Sequence, residues 1–256
     1  MKVELKIDHN KGVVAIIPTI SISQSKVKNL IGELSSYKVD SILIENSGPS
    51  FSFSNSMNIG IKEALKQKEV KYIILSNDDV SEIVGLDNMI SYLEHNPVDY
   101  AHPYVNNKSP SIIFTGITIR AMLNWGLRSR APFYAKSLID GIKEQMPCKR
   151  FLIFAPAIRK SSKIVHVQPF GLFKKKVLED HNFDENLVNG VEDLDLAFRL
   201  WKSGYTGTTR SNWRIKHDTS SSFKLLNKKT RLGSYYGDNS HIISNWVYFV
   251  KKNLNC

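Results

Sequence analysis

Cysteine is scarce in this chain. Cys148 and Cys256 are too few for a disulfide framework, and no Cys-x-x-Cys pair offers itself to zinc. Long hydrophobic runs are missing too. No stretch reaches the ~18 apolar residues that a membrane-spanning helix needs, and the longest candidate, Ser111 to Leu127, carries Arg120 and Asn124 in its interior. Met1 to Lys11 is charged and has neither the apolar core nor the small-residue cleavage site of a secretory leader. Low-complexity tracts are lacking, and with 42% hydrophobic residues this excludes disorder over most of the length. Two phosphate-binding signatures are also absent. No Gly-x-Gly-x-x-Gly follows the first apolar run and no Gly-Lys-Ser/Thr occurs anywhere, which counts against a dinucleotide dehydrogenase and a P-loop enzyme. What remains is an ordinary globular chain of one large or two modest domains, expected to be cytoplasmic or peripheral to a membrane.

What is present is an ordered alternation. Three nearly continuous apolar runs, Val13 to Ile17, Ser41 to Ile44 and Tyr72 to Leu75, read as strands buried on both faces, as in a parallel sheet. Between them lie helical patterns. Val27, Leu30, Ile31 and Leu34 recur at i, i+3, i+4 and i+7, with Ser23 and Ser25 available as caps. Met57, Ile61 and Leu65 repeat the pattern after a Ser/Asn-rich start at Ser52 to Ser56. Strand, helix, strand, helix, strand predicts an α/β, Rossmann-like sheet, mostly parallel and flanked by helices. Such sheets bind ligands outside the carboxyl ends of their strands. Those ends read Pro18-Thr19, Glu45-Asn46-Ser47-Gly48 and Ser76-Asn77-Asp78-Asp79. Taken alone, Asp78-Asp79 is equally a solvated turn or a cation site that holds phosphates.

The second half carries Gly171-Leu-Phe-Lys, Asn182-Phe-Asp-Glu-Asn-Leu and Gly190-Val-Glu192-Asp193-Leu-Asp195-Leu-Ala-Phe-Arg199, then Gly204-Tyr205. With Ala15-Ile-Ile-Pro-Thr19, Ile44-Glu45-Asn46, Asn58-Ile-Gly60, Asn77-Asp78-Asp79, His217 and Ser220 to Ser222, these elements fall in the order found in a known family. The chain resembles the family-2 glycosyltransferases of GT-A fold, especially their rhamnosyltransferase-like members. The resemblance covers Val13 to about Tyr236 and thins between about Val80 and Gln168. It implies a GT-A domain over 1–222, with a nucleotide-binding half at 1–100 and an acceptor-side half at 101–222, followed by a basic amphipathic helical extension at 223–256. It departs from the family where Asn77 opens the Asp-x-Asp-like element, where Glu45 replaces the usual Asp, and where Ile20-Ser21 follows Pro-Thr.

The resemblance assigns the nucleotide sugar to Pro18, Thr19, Glu45, Asn46, Asn58, Asn77 and Asp78. It assigns a divalent cation, Mg²⁺ or Mn²⁺, to Asp79 and His217, and acceptor or supporting roles to Glu192 and Trp213. Asp193 is the expected general base. The apolar stripe Leu194, Phe198, Trp201 starts a helix near Val191, so Asp193 falls in its first turn, where the macrodipole favours an ionised carboxylate. Asp195 and Arg199, at i and i+4, are expected to pair on the helix surface. Trp213 to His217 alternates like an edge strand, with Trp213, Ile215 and His217 on one face. One base and one metal imply a single displacement, and the family is inverting.

The formal net charge of +11 is unevenly spread. Residues 1–100 hold 10 basic and 13 acidic side chains, 101–199 hold 15 and 9, and 200–256 hold 10 and 2. The positive charge therefore belongs to the acceptor side, which favours a glycan or polyprenyl-phosphate-linked acceptor and contact with an anionic membrane, at its inner face, over nucleic acid. The tail Tyr235 to Leu254 reads either as a helix lying on such a membrane or as one docked on the core. The stretch Ile112 to Tyr134, with Trp125, Arg128 and Arg130, reads either as an acceptor-side wall or as packing. Two other classes were weighed. A nucleotidyltransferase would want Gly and basic residues in Thr19 to Ser25, which has neither. A non-catalytic nucleic-acid-binding module would want a helix-turn-helix, zinc finger or RNA-binding motif, and none is present.

Overall fold

The computed structural model describes residues 1–6, 12–47, 51–118, 150–156, 164–187, 191–218 and 240–254. Along the first of these lie β1 (Lys2–Lys6), β2 (Val13–Thr19), α1 (Ser25–Ser36), β3 (Asp40–Glu45), α2 (Phe53–Lys66), β4 (Tyr72–Ser76), β5 (Val80–Val84) and α3 (Leu86–His95). Then come β6 (Tyr100–Ala101), β7 (Tyr104–Val105), β8 (Ser111–Thr118), β9 (Arg150–Pro156), β10 (Ile164–Val165), β11 (Phe170–Lys174) and α4 (Lys175–Asp180). The last are α5 (Glu192–Lys202), β12 (Gly207–Thr208), β13 (Arg214–His217) and α6 (Ser240–Leu254).

The three apolar runs form the middle of a seven-stranded sheet of order β1-β3-β2-β4-β11-β6-β12. β2 lies parallel to both β3 and β4. β11 runs antiparallel to β4 and β6, β12 is parallel to β6, and β1 is antiparallel to β3. Five of the seven strands thus share one direction, and β1 and β11 oppose them. The molecule is the expected mixed α/β architecture, a mostly parallel sheet flanked by helices. β2 is buried throughout and alternates between the two cores. Val14 and Ile16 pack with Met57, Ile61, Leu196 and Leu200, while Val13, Ala15 and Ile17 pack with Val27, Leu30, Leu34 and Leu93. α2, α4 and α5 therefore cover one face, and α1 and α3 the other. Gly60 is the point of closest approach on the first face, since a Cβ there would sit 2.2 Å from Ile16 Cγ2.

Several expectations are corrected here. α1 is capped by Gln24, with no side-chain bond, so neither Ser23 nor Ser25 caps it. Ser52 does cap α2, accepting from the Asn55 amide. β13 is the middle strand of a second, three-stranded sheet, β5-β13-β7, and not an edge. The Asp195–Arg199 pair forms at 2.7 Å, but Asp195 is wholly buried because α6 lies over it. Lys252 Nζ reaches Asp195 at 3.1 Å and Asp184 at 2.7 Å, Asn253 Nδ2 reaches Asp195 at 3.0 Å, and Phe249 packs edge-on against Phe198. α6 is docked on the core through Asn245, Val247 and Phe249. Edge strand β1 alternates strictly, Lys2-Val3-Glu4-Leu5-Lys6, yet its apolar residues Val3 and Leu5 are exposed. No helix among the described residues is long and apolar enough to cross a membrane. Gly48, Trp125, Arg128, Arg130, Gly190, Ser220 to Ser222 and Tyr235 to Tyr236 lie outside the described residues.

Candidate active site

The carboxyl ends of β2 and β4, the turn before β11 and the start of α5 meet around a cleft of about 320 Å³, within the range of small-molecule sites. It is lined by Pro18 and Thr19 from β2, by Asn77, Asp78 and Asp79 beyond β4, and by Gln168, Glu192, Asp193 and His217, with Ile20, Phe51 and Phe53 as an apolar wall. Nine of the residues expected from sequence to carry the chemistry were nucleotide or metal contacts, and six of those nine line this cleft together with Glu192 and Asp193. Glu45 and Asn46 lie just behind it. Glu45 Oε2 accepts the Ile22 amide at 2.8 Å and so shapes the turn into α1, and the Asn46 amide donates to the Thr19 carbonyl at 2.9 Å.

Two expected residues are not brought to the cleft. Asn58 is buried, with its amide clamping α2 to the loop after α4: Oδ1 accepts from the Phe183 amide, and Nδ2 donates to the Phe183 carbonyl and Glu185 Oε1, each at 2.9 Å. Trp213 is a core residue packed edge-on against Tyr92. Its alternation with Ile215 does place His217 at the mouth of the cleft.

The two adjacent aspartates have different work. Asp78 turns inward, where Oδ2 accepts from Thr19 Oγ1 and Oδ1 pairs with Lys26 Nζ, both at 2.8 Å. A buried carboxylate needs such partners. Lys26, one residue beyond the segment read for basic groups, supplies them from the first turn of α1. Asp79 instead meets His217, with Oδ1 3.0 Å from Nε2, and Asn77 Nδ2 lies 3.3 Å from the same nitrogen. Two donors coordinated at right angles at about 2.1 Å, the distance Mg²⁺ demands, stand about 3.0 Å apart. The pair therefore fits two neighbouring positions on one cation. Among the described residues no third His, Cys, Asp or Glu joins them, so substrate phosphates and water would have to complete the coordination of any cation held there.

Asp193 lies, as expected, in the first turn of α5. Val191, the residue before that helix, takes φ 72°, a left-handed conformation that costs a β-branched residue on the order of 1–3 kcal/mol and clusters at functional sites. The Asp193 side chain is 30% exposed, against 5% for Asp78 and 7% for Asp79, so of these three it is the carboxylate an incoming group can reach. Oδ1 accepts the Leu194 amide at 2.8 Å and Oδ2 lies 3.2 Å from His166 Nε2. His166 was missed in the sequence reading. Its Nδ1 lies 2.7 Å from the Gln168 carbonyl, which only accepts, and 3.2 Å from the Gln168 amide. The shorter contact puts a proton on Nδ1. The approach of Nε2 to Asp193 is then attractive when a second proton lies between them. His102 stands behind, 2.9 Å from the same carbonyl, with burial and then the nearby His166 pushing its pKa down to about 3, so it stays neutral.

No known family profile and no curated protein matches the sequence. Solved structures similar to the chain include A197 from STIV, at 11% identity and a TM-score of 0.45, covering 80% of this chain and 85% of that one. A Drosophila β1,4-galactosyltransferase 7 mutant in complex with manganese, UDP-Gal and xylobiose is similar at 11% identity and a TM-score of 0.44, over 80% and 70% of the two chains. GalNAc-T7 with UDP, GalNAc and Mn²⁺ is similar at the same identity and TM-score, over 95% of this chain and 54% of its own. At that level the likenesses leave the function to be argued from the cleft.

Proposed function

We propose that the chain is an inverting glycosyltransferase of GT-A type. It moves a sugar from a UDP-, dTDP- or GDP-linked donor to a hydroxyl of a glycan or polyprenyl-phosphate-linked acceptor. One observation carries this reading: the Asp79–His217 pair and the exposed Asp193 open on the same cleft. Asp78, Asp79, Glu192 and Asp193 make that cleft acidic, and a diphosphate would be repelled from it unless a divalent cation came with it. Asp79 and His217 would hold that cation, which neutralises the departing diphosphate. The protein groups do the rest. Asp193 accepts the proton of the acceptor hydroxyl as the acceptor oxygen bonds to the anomeric carbon and the bond from that carbon to the diphosphate breaks. His166 Nε2 shares the proton with Asp193, and its Nδ1–H keeps the ring in register. Asp78 is committed to Thr19 and Lys26, and Asp79 to His217 or the cation, so neither is placed as a second nucleophile, and a single displacement inverts the anomeric centre.

The basic balance of residues 200–256 supports an anionic acceptor and a place at the inner face of the cell membrane, even though α6 itself docks on the core. The test is calorimetry with UDP-, GDP- and dTDP-sugars, with and without Mn²⁺. One class should bind in the presence of the metal, and silence with all of them would undo the proposal. In the same assay Asp193→Asn should keep nucleotide-sugar affinity within a few-fold while transfer falls by about 10²–10⁴, the usual contribution of a general base. Retained turnover would remove Asp193 from that role.

A further inference from the structure

The proposed transfer gives no task to the side chain of Gln168. It is 7% exposed, lines the cleft, and neither Oε1 nor Nε2 has a hydrogen-bond partner. Its main chain is held firmly. The carbonyl accepts from His166 Nδ1 at 2.7 Å, and the carbonyl of the next residue, Pro169, accepts the Asn77 amide at 2.8 Å. The antiparallel pairing of β11 with β4, which sets Phe170 opposite Ser76, fixes this turn against the end of β4. Asn77 lines the same cleft, and its Oδ1 is likewise buried without a partner.

A buried polar atom left unpaired costs about 1–3 kcal/mol, and native structures satisfy nearly all of theirs. Methionine would fill the same volume at position 168 without that penalty. A residue that lines a cavity from a rigidly held main chain, with its amide buried just behind the cavity wall and meeting no protein partner, is explained by a ligand toward which that amide turns. Its chemistry narrows the ligand class. Gln168 offers one acceptor and two N–H donors, and Asn77 Oδ1 adds an acceptor, all uncharged. Two acceptors beside Glu192 and Asp193 are a poor match for phosphate. Neutral hydroxyls, each both donor and acceptor, match all of these groups. A hexose attached to a diphosphate at the Asp79–His217 pair and open to Asp193 at its anomeric carbon brings its hydroxyls into this part of the cleft.

We infer that Gln168, together with Asn77 Oδ1, holds hydroxyls of the transferred sugar and selects among donors by the configuration of those hydroxyls. This rests on the reading of the cleft as a nucleotide-sugar site. Sites that hydrogen-bond a hydroxyl discriminate strongly against analogues lacking it, because the protein groups are left unpaired.

The experiment compares two ligands on two proteins by calorimetry in Mn²⁺: the nucleotide sugar that binds the wild type, and the matching nucleoside diphosphate without sugar. Gln168→Met should weaken the nucleotide sugar about tenfold, the worth of one or two hydrogen bonds, and leave the nucleoside diphosphate within twofold. The variant should melt no lower than the wild type, since it removes unpaired polar atoms. Equal weakening of both ligands would make Gln168 a structural residue of the cleft and overturn the inference, as would no change in either. Should Gln168→Met not fold, Gln168→Asn serves the same comparison, and a sugar-specific loss of several-fold is expected from the amide's retreat by one methylene. Failure of the wild type to bind any nucleotide or nucleotide sugar overturns the site reading itself, and so is distinct from a Gln168 failure.

Discussion

At the scale of single residues, the chain divides its acids by their neighbours. Asp78 is consumed by Thr19 and Lys26, Asp79 faces His217, and Asp193 is left open beside His166. The His166 contact yields a prediction. His166→Phe removes the group that aligns Asp193 and leaves nothing to share its proton, so kcat should fall about tenfold or more while the donor KM stays within twofold. A parallel rise in KM would mean that His166 merely shapes the cleft. Asp79, Asp193 and His217 were legible because each belongs to an ordered run of short elements whose sequence positions are distinctive. His166, Gln168 and Lys26 were not, for a physical reason. Each acts across the fold, Lys26 on a residue 52 positions away, and a single polar side chain on a strand, turn or helix has no periodicity to betray it. Asn58 shows the converse. It sits in a matching motif, and yet its amide is spent entirely on holding α2 to Phe183 and Glu185.

Between elements, most of the specificity lies in polar ties laid over an apolar base. α1, α2, α5 and α6 were legible from their stripes, whereas α3 and the short α4 were not, and the packing reasons of none of them were. Asn58-Ile-Gly60 was legible only as a family element, and the fold gives its glycine a reason: Gly60 is mid-helix, where α2 presses on Ile16. α6 read equally as a membrane helix and a docked one, and what decides is the charge of Lys252 between Asp184 and Asp195, a tie that only the fold assembles. Burial alone would push the Asp184 pKa up, but hydrogen bonds from Lys252 and the Asn186 amide, with the charge of Lys252 and a bond from Tyr248, bring it down to about 2. A folded-state pKa below the unfolded one gives stability that is fully present above about pH 4 and is lost as pH falls toward 2. Hydrogen exchange of α6 amides should therefore accelerate over that window, and Asp184→Asn should bring the fast exchange to neutral pH. An α6 protected equally at pH 2 and pH 7 would show that its apolar contacts suffice.

Over the whole molecule, the first hundred residues and the rest are interleaved in one sheet. The parallel centre β3-β2-β4 was legible because buried parallel strands read as continuous apolar runs. β11 was recognised only as a family element, and β6 and β12, at two residues each, are too short to register. Yet the pairing of β11 with β4 is what brings Gln168 to the cleft, and α5 is what brings Asp193. The cleft is acidic in a chain of net charge +11, so the metal's effect should be visible in global stability. A nucleoside diphosphate with Mn²⁺ at ~100 times its dissociation constant should stabilise the fold by about 2.7 kcal/mol, or roughly 5–10 °C in Tm for a domain of this size. The diphosphate without metal should do much less. Asp79→Ala should remove the metal-dependent part, and an undiminished shift in that variant would exclude Asp79 as a ligand.

The Lys252–Asp195 tie has a consequence in time as well as in space. The two residues are 57 positions apart, and translation adds about 5–20 residues per second. For roughly 3 to 11 s of synthesis, a nascent chain therefore holds the helix that carries Asp193 with Asp195 leaning on Arg199 and without Lys252 or Asn253. The helix is made first and secured later, so a ribosome that stalls after His217 and before Lys252 leaves a chain that has every cleft residue named above and lacks the brace on the helix of Asp193.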